Sequence, residues 1–521
     1  MKYSKIALAC GLAVAAMSAQ AVDLNTLPNF TGAKKIFLSG ATAPDNFLGD
    51  IASGMLTGEI AIRSTDSGIL HRAYFGPAGA SIPNVTAGTN IVFIKRSKGG
   101  SVWGVDPVAR GQRVETLDFT NCTALTVALP TQPYSYSCGV KGVDPVSAAD
   151  LGAADSFGKF GEVPDFGVSD VEPALFKTPY NTENGLPALS GAELGKLSNK
   201  GVNQIMMGIV ATDAVPATTH ISRSQYGAML AGKLADWSQV IPGDTSSVVV
   251  CRRVNGSGTQ TSYNWFFTGF PCNNASLGSQ DTPPAGVADS FGYNATGLNL
   301  ALATVGTAAN PIIVDPTAGL TIVENSGSGD VRNCLKAAQN NTDFTVTGSN
   351  SKVYKVTFSG LKTGTTVNPA KAIGVLSLDS YNNANTAGSG FSFRHLDGAG
   401  TFNGATQTSS AGATGIAPSK ANLLAGKYDF VVELSMQARN AASGAGTAIT
   451  ADSVKNAFYK EFVNRAGQTK YTGNDGGTFT TVPNAFATLP TTASYDLKPA
   501  FVSKFSRGGN TCAPLVSFPS L

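Results

Sequence analysis

The chain has 521 residues, of which only 14% are charged and 59 are glycine, and its formal net charge is +3 at pH 7. This length predicts more than one domain and is ample for a sizeable core. The small net charge excludes an overall basic field that would recruit nucleic acid or a membrane surface.

The first 21 residues are typical of a secretory signal peptide. Lys2 and Lys5 precede an apolar core from Ile6 to Met17, and Ser18 to Ala21 supply a small-residue cleavage site. Cleavage after Ala21 removes the two lysines and lowers the formal charge from +3 to +1. No later apolar run reaches the ~20 residues that cross a bilayer. We therefore expect a periplasmic or secreted protein that is not an integral membrane protein.

Six cysteines follow the predicted cleavage site, and an even number in an oxidising compartment predicts disulfides. Their pairing is open, because six cysteines allow ~15 connectivities. Proximity in sequence favours Cys122–Cys138 and Cys251–Cys272, which leaves Cys334–Cys512. Metal binding is the weaker alternative, since the chain has no CxxC motif.

Strand-like segments alternate with helical segments along the first half of the chain. In order they are the strand Lys35–Leu38 with the turn Ser39–Pro44 and the helical stretch Asn46–Ile51, the strand Asn90–Lys95 with the turn Arg96–Ser101, the turn Pro164–Asp170, the buried strand Gln204–Ala211 and the helix Ser222–Ala231. This alternation predicts an α/β fold with mostly parallel sheets flanked by helices. Ligands bind such sheets beyond the carboxyl ends of the strands, where the Gly/Ser/Thr turns lie.

The segment Val248–Thr259 carries the clearest ligand-binding pattern. A β-branched run ends in two arginines, and a Gly-Ser-Gly-Thr turn precedes a helical stretch. Unpaired N–H groups in the first helical turn, together with the helix dipole, favour an anion. Gly256 and Gly258 allow close approach of the backbone, and Arg253 offers a planar fork suited to tetrahedral oxyanions. The alternative is a plain β-turn with a solvated arginine pair.

Four further segments depart from this alternation of strands and helices. Gly/Ala/Thr/Pro-rich composition predicts surface insertions at Cys122–Ala154 and Asn273–Thr321. Alternating residues predict a β-hairpin within Asp343–Thr366. The low-complexity stretch Ala405–Ser419 predicts a flexible loop.

Five stretches resemble, in the same sequence order, the periplasmic phosphate-binding proteins of ABC transporters, which belong to the type II periplasmic binding protein superfamily. They are Gly40–Pro44, Ser97–Gly100, Asp165–Asp170, Ser224–Trp237 and Arg252–Thr259. Two further segments resemble the family more weakly, Ala372–Leu376 and Tyr428–Val432. Long inserts separate them, so the chain resembles a divergent member of the family.

The resemblance implies two α/β lobes with a ligand cleft between them. Lobe 1 would comprise residues 22–206, with an insertion at about 105–160, and residues 430–521. Lobe 2 would comprise residues 207–429, with an insertion at about 273–321. Carried over position by position, the phosphate ligands are Thr42, Ala43, Ser97 and Asp170 from lobe 1, and Arg253, Ser257, Gly258 and Thr259 from lobe 2.

A carboxylate at Asp170 implies a ligand that still carries a proton, because a fully ionised anion such as sulfate would only be repelled. The alternative role for Asp170 is the N-cap of a following helix. Asn255 replaces the family's usual aspartate, expected to pair with the arginine, and leaves Arg253 with more uncompensated charge. Ala43 replaces a usual aromatic residue, which predicts a more open site.

Arg96 and Lys98 flank Ser97, and for them a solvated surface position is slightly favoured over a role at the site. The leading hypothesis is a non-enzymatic, monomeric receptor for phosphate or a related tetrahedral oxyanion that needs no cofactor. The resemblance implies that it delivers its ligand to an ABC permease. The alternative is a secreted or cell-surface interaction protein with the same fold. A phosphatase is disfavoured, because no Gly-x-Ser-x-Gly elbow occurs and the histidines are scattered, at His71, His220 and His395.

Overall fold

The computed structural model describes residues 21–125, 134–142, 161–178, 180–183, 186–230, 233–272, 306–348, 352–383, 389–444, 446–469, 483–490 and 501–518. The predicted signal peptide before Ala21 lies outside these residues. So do parts of the two predicted insertions, namely 126–133, 143–160 and 273–305.

The strands up to the middle of the chain are β1 (Ala21–Val22), β2 (Lys34–Gly40), β3 (Ile60–Ser64), β4 (His71–Pro77), β5 (Asn90–Arg96), β6 (Thr116–Ala124), β7 (Tyr134–Lys141), β8 (Phe166–Ser169) and β9 (Leu197–Thr212). Those that follow are β10 (Val249–Arg253), β11 (Ile312–Val314), β12 (Thr321–Asn325), β13 (Phe344–Thr347), β14 (Val353–Val356), β15 (Ala372–Ser377), β16 (Phe391–Arg394), β17 (Thr401–Asn403), β18 (Thr408–Ser409), β19 (Val431–Arg439), β20 (Phe486–Thr488), β21 (Phe505–Ser506) and β22 (Val516–Ser517).

The α-helices of the described residues are α1 (Asp45–Ser53), α2 (Asp106–Arg110), α3 (Gly191–Leu194), α4 (Arg223–Leu230), α5 (Gly258–Thr268), α6 (Ser328–Asn340), α7 (Lys420–Leu424) and α8 (Ser453–Gly467). Short 3-10 helices at Ser101–Gly104 and Leu378–Asn383 border the cleft described below. None of the helices in the part of the chain described is both long and apolar enough to cross a membrane.

Lobe 1 is centred on three parallel strands in the order β5–β2–β8. Antiparallel strands extend this centre on both sides, with β4 beside β5 and β19 beside β8. Helix α8 covers one face, where Phe458 and Phe462 stack on Phe93 of β5. Burial of these apolar side chains holds the helix to the sheet.

Lobe 2 repeats the plan with three parallel strands in the order β12–β10–β15. Beside β15 the sheet continues with the last part of β9 and then with β16, β17 and β18, each antiparallel to the strand before it. Helix α6 packs on this sheet and buries Val331 and Leu335 completely. The predicted fold class, α/β with parallel strands flanked by helices in two lobes, is confirmed.

The 16-residue strand β9 joins the two lobes. Its first part, up to Met206, pairs with β19 of lobe 1, and from Met207 onward it pairs with β15 of lobe 2. The chain crosses back beside this point, where the Met207 N–H donates to the Phe430 carbonyl at 3.0 Å. The chain therefore passes between the lobes at two adjacent points.

Several predicted elements are present. The buried strand Gln204–Ala211 lies within β9, and the hairpin within Asp343–Thr366 is the antiparallel pair β13–β14. The stretch Ala405–Ser419, predicted as a flexible loop, is instead tied back to the sheet. Its strand β18 pairs with β17, and Ile416 bridges to Leu396.

The disulfide prediction is right for one bond and wrong for two. Cys122 is bonded to Cys138, as expected from proximity. The other bonds join Cys251 to Cys334 and Cys272 to Cys512. Strand β10 pairs with β12, which leads directly into α6, so the fold places Cys334 against Cys251. Separation along the chain does not measure distance across a folded sheet.

Candidate functional site

The carboxyl ends of five parallel strands meet where the two lobes face each other. β2, β5 and β8 end there in lobe 1, and β10 and β12 end there in lobe 2. All five ends lead into a turn and then a helix: α1 and the 3-10 helices at 101–104 and 173–175 follow the lobe 1 strands, and α5 and α6 follow the lobe 2 strands. This is the position at which α/β sheets bind ligands.

The turn after β10 has the predicted strand–turn–helix geometry. Gly256 adopts a φ of 80°, which favours glycine because it is left-handed. Ser257 is the N-cap of α5, and its Oγ accepts from the Gln260 N–H at 3.3 Å. Helix α5 then begins at Gly258, so its positive end faces the cleft.

Arg253 reaches across the cleft from the end of β10. Its side chain is buried, and Nη1 donates to Thr42 Oγ1 of lobe 1 at 2.7 Å and to Ser328 Oγ at 3.4 Å. Nη2 donates to the Ser326 carbonyl at 2.6 Å, and Nε to the Asn325 carbonyl at 3.3 Å. Burial lowers the Arg253 pKa to about 10, so the guanidinium stays charged at neutral pH. The predicted solvated arginine pair is therefore wrong at this position.

Asp170 is buried opposite the start of α5, with 1% of its surface exposed. Its Oδ2 accepts from Thr259 Oγ1 at 3.1 Å, while Oδ1 is buried and has no hydrogen-bond partner. Burial raises the Asp170 pKa to about 6, against the opposing effects of Arg253 and the Thr259 hydroxyl. One carboxylate oxygen thus remains available to a ligand that donates a proton.

The alternative role of Asp170 as a helix N-cap is wrong. The helix that follows is a short 3-10 turn from Pro173 to Leu175, and Glu172 occupies its N-cap position. The side chain of Asp170 is directed to Thr259 across the cleft.

Two glycines let the lobes come into direct contact. A Cβ on Gly258 would lie 2.3 Å from Ser101 Oγ and 2.8 Å from Asp170 Cβ. A Cβ on Gly100 would lie 2.9 Å from Ser257 Cα. Any larger residue at these positions would force the lobes apart. The Val102 N–H also donates to the Gly256 carbonyl at 2.8 Å, so the cleft is closed.

Ser97 and Ala43 also lie near the cleft, but their polar groups form hydrogen bonds with residues other than Arg253 and Asp170. Ser97 Oγ donates to Asp45 Oδ1 and accepts from Lys95 Nζ, both at 2.8 Å, within lobe 1. The Ala43 carbonyl accepts from Ser377 Oγ of lobe 2 at 2.7 Å, and Ala43 is 1% exposed. The more open site expected at Ala43 is therefore absent, because lobe 2 covers it.

The basic residues beside Ser97 and the amide at Asn255 have partners that the sequence did not predict. Arg96 is fully buried and lies 4.9 Å from the centre of the Trp103 ring, so its predicted solvated position is wrong. Lys98 pairs with Glu115 at 2.9 Å. Asn255 Oδ1 accepts from Arg252 Nη2 at 3.0 Å. The side chain of Asn255 therefore bonds to Arg252.

The second turn of lobe 2 was missed in the sequence. Strand β12 ends at Asn325, and Ser326 to Gly329 lead into α6. Ser328 Oγ lies 2.9 Å from Thr42 Oγ1, and the Gly99 N–H donates to Ser326 Oγ at 3.1 Å. The signal was available, because Ser-Gly-Ser-Gly between a β-branched strand and a helix repeats the pattern of the first turn.

Of the eight predicted ligand residues, all but Ser97 make polar or close contacts with the other lobe, namely Thr42, Ala43, Asp170, Arg253, Ser257, Gly258 and Thr259. Ser257 caps α5 beside Gly100, while Ser97 and Ala43 make the contacts given above. In the part of the chain described, no group of three or more His, Cys, Asp or Glu side chains is placed to hold a metal ion.

Comparison with solved structures finds phosphate-binding proteins at low similarity. An ancestral soluble variant of the human phosphate-binding protein is 14% identical, with coverage of 92% of this chain and 98% of that chain and a TM-score of 0.38. The high-affinity periplasmic phosphate-binding protein PfluDING is also 14% identical, with coverage of 88% and 91% and a TM-score of 0.37. An ABC-type phosphate transport receptor from Vibrio cholerae is 11% identical, with coverage of 83% and 98% and a TM-score of 0.32.

No protein-family model and no curated protein sequence matches the chain. The two-lobed architecture rests on the strand pairing described above.

Proposed function

We propose that this protein is a non-enzymatic receptor that binds phosphate, or a related tetrahedral oxyanion, in the cleft between its lobes. The observation that carries the proposal is Arg253, a buried and charged guanidinium that contacts hydroxyls from both lobes. A buried cation without a firmly paired carboxylate is costly, and an anionic ligand would compensate it.

The ligand would replace bonds that the polar groups now make to one another. Arg253, Thr42 and Thr259 would turn their donors to phosphate oxygens, and α5 would offer the N–H groups of its first turn. A guanidinium binds an anionic oxygen more strongly than the neutral hydroxyl and carbonyl oxygens that Arg253 now contacts. Asp170 Oδ1 would accept the proton that hydrogen phosphate carries and sulfate lacks.

Ligand exchange requires the lobes to separate, because the contacts across the closed cleft are direct. We place the lobe boundaries as the sequence predicts, with residues 22–206 and 430–521 in lobe 1 and residues 207–429 in lobe 2. The crossings at Met206/Met207 and Phe430/Val431 support a hinge at those points. Hinge closure around a ligand is the usual motion of two-lobed binding proteins. We propose an extracytoplasmic location and delivery of the ligand to an ABC permease, which are the roles implied by the sequence resemblance.

Calorimetry on refolded, ligand-stripped protein tests the proposal. We expect phosphate to bind and sulfate to bind far more weakly. Arg253→Ala should weaken phosphate binding by about 3 kcal/mol, or roughly a hundredfold, because at least two charge-assisted bonds are lost. The control is Lys233→Ala, which removes an exposed cation of lobe 2. Absence of phosphate binding by the unmodified protein would refute the function, and equal binding of sulfate would remove the role of Asp170.

A further inference from the structure

A small cavity lies between the lobes beside Arg253. Thr42 and Arg72 of lobe 1 line it on one side, and Ser328, Arg332 and Asp379 of lobe 2 line it on the other. Its volume is about 10 Å³, which holds about one water molecule. A larger ligand therefore reaches this space only when the lobes are apart.

Two cations share one of the carboxylates that line this cavity, Asp45. Arg72 Nη1 is paired with Asp45 at 2.7 Å, and Lys95 lies 3.2 Å from the same carboxylate. Arg332 Nη1 donates to Ser380 Oγ at 3.1 Å, and among the described residues no carboxylate forms an ion pair with it. Burial lowers the Arg332 pKa to about 10, so this arginine remains charged at neutral pH.

Asp379 presents an unpartnered oxygen to the same cavity. The residue is 2% exposed; its Oδ2 accepts from the Asn46 N–H at 3.1 Å, and its buried Oδ1 has no hydrogen-bond partner. Burial raises the Asp379 pKa well above its ordinary value. The protonated form of a carboxyl can donate a hydrogen bond to an anion.

The thirteen-residue helix α6 begins at this cavity with Ser328. Its first-turn N–H groups and its dipole favour negative charge there. Ser328 and Thr42 also contact Arg253, so the cavity and the position proposed for phosphate share a wall.

We propose that this cavity is a second anion subsite, and that the cleft takes diphosphates, with one phosphoryl group held by Arg253 and the second by Arg332, Ser380 and the start of α6. This proposal rests on the proposed binding of phosphate at Arg253. Two phosphoryl groups joined by one oxygen suit two compartments with a common wall.

Calorimetry with inorganic diphosphate and with phosphate, each in metal-free buffer, tests the subsite on the full mature protein. We expect diphosphate to bind more tightly than phosphate. Arg332→Met should weaken diphosphate binding by at least about tenfold and leave phosphate binding within about twofold. Lys336→Met is the matched control, because Lys336 is an exposed cation about one turn further along α6. It should change neither affinity.

The proposal is overturned if diphosphate binds no more tightly than phosphate, or if Arg332→Met weakens both ligands equally. If diphosphate binds and phosphate does not, the proposed phosphate receptor fails while the subsite stands. Circular dichroism checks that each variant folds. If Arg332→Met does not fold, Ser380→Ala removes only the hydroxyl that positions Arg332. Ser380→Ala must then weaken diphosphate binding by at least about threefold without weakening phosphate binding. If it does not, the proposal is overturned.

Discussion

Replacing Asp170 with asparagine should change how the stability of the ligand-free protein depends on pH. The asparagine has nearly the same shape and keeps an oxygen that can accept from Thr259. What it removes is a buried group that ionises. In the native protein burial raises the Asp170 pKa from 3.8 to about 6.

The raised pKa sets the sign and the size of the effect. The folded protein prefers the protonated carboxyl, so this stabilisation is complete below about pH 4 and is lost as the pH rises through about 6. Each pKa unit corresponds to ~1.36 kcal/mol, so the loss amounts to about 3 kcal/mol. Asp170→Asn does not suffer this loss. Relative to the unmodified protein, the variant should gain about 3 kcal/mol in unfolding free energy between pH 4 and pH 8.

Urea titrations of ligand-stripped protein at pH 4, 6 and 8, with disulfides intact, measure this difference. Subtracting the two proteins removes the contribution of the other titrating groups. Asp213→Asn, which changes an exposed carboxylate, is the control and should show no such trend. A difference that stays constant from pH 4 to pH 8 would refute the claim that burial raises the pKa of Asp170.

Two more predictions concern the contact between the lobes and the disulfides. Gly258→Ala should weaken phosphate binding in calorimetry by roughly 1–3 kcal/mol, because its Cβ meets Ser101 and Asp170 on closure; Gly191→Ala, where a Cβ meets nothing within 4 Å, should not. Equal effects of the two changes would contradict glycine-dependent closure. The double variant Cys272→Ser/Cys512→Ser opens a loop with a sequence separation of 240 and should lower the unfolding free energy by up to about 5 kcal/mol. The pair Cys122→Ser/Cys138→Ser, with a separation of 16, should cost about 3 kcal/mol. A larger loss for the second pair in urea titrations would contradict the loop-length argument.

The elements that could be predicted from the sequence are those set by neighbouring residues. The end of β10, the turn through Gly256 and the start of α5 depend on β-propensity, glycine conformation and N-capping, which act over a few residues. The same local rules would have identified the turn before α6. Which turns share a lobe was predicted from the resemblance to periplasmic phosphate-binding proteins.

The environment of each side chain could not be predicted in this way. Arg253 is the last residue of β10, and Ser97 directly follows β5. Their contacts nevertheless differ, because Ser97 bonds to Asp45 within its own lobe and Arg253 bonds to Thr42 of the other lobe. The disulfide partners of Cys251 and Cys272 likewise depend on which distant segments pack together.

By itself, the sequence predicted the α/β fold and the strand, turn and helix around Arg253, and its resemblance to phosphate-binding proteins supplied the candidate residues on both lobes. Only the tertiary structure decided which of these residues meet across the cleft, and only it revealed Ser328, Arg332 and Asp379 as their neighbours. The physical reason is the separation along the chain over which each interaction acts. Turn geometry and helix capping are settled within a few residues, whereas burial, charge compensation and disulfide pairing depend on segments far apart in the chain.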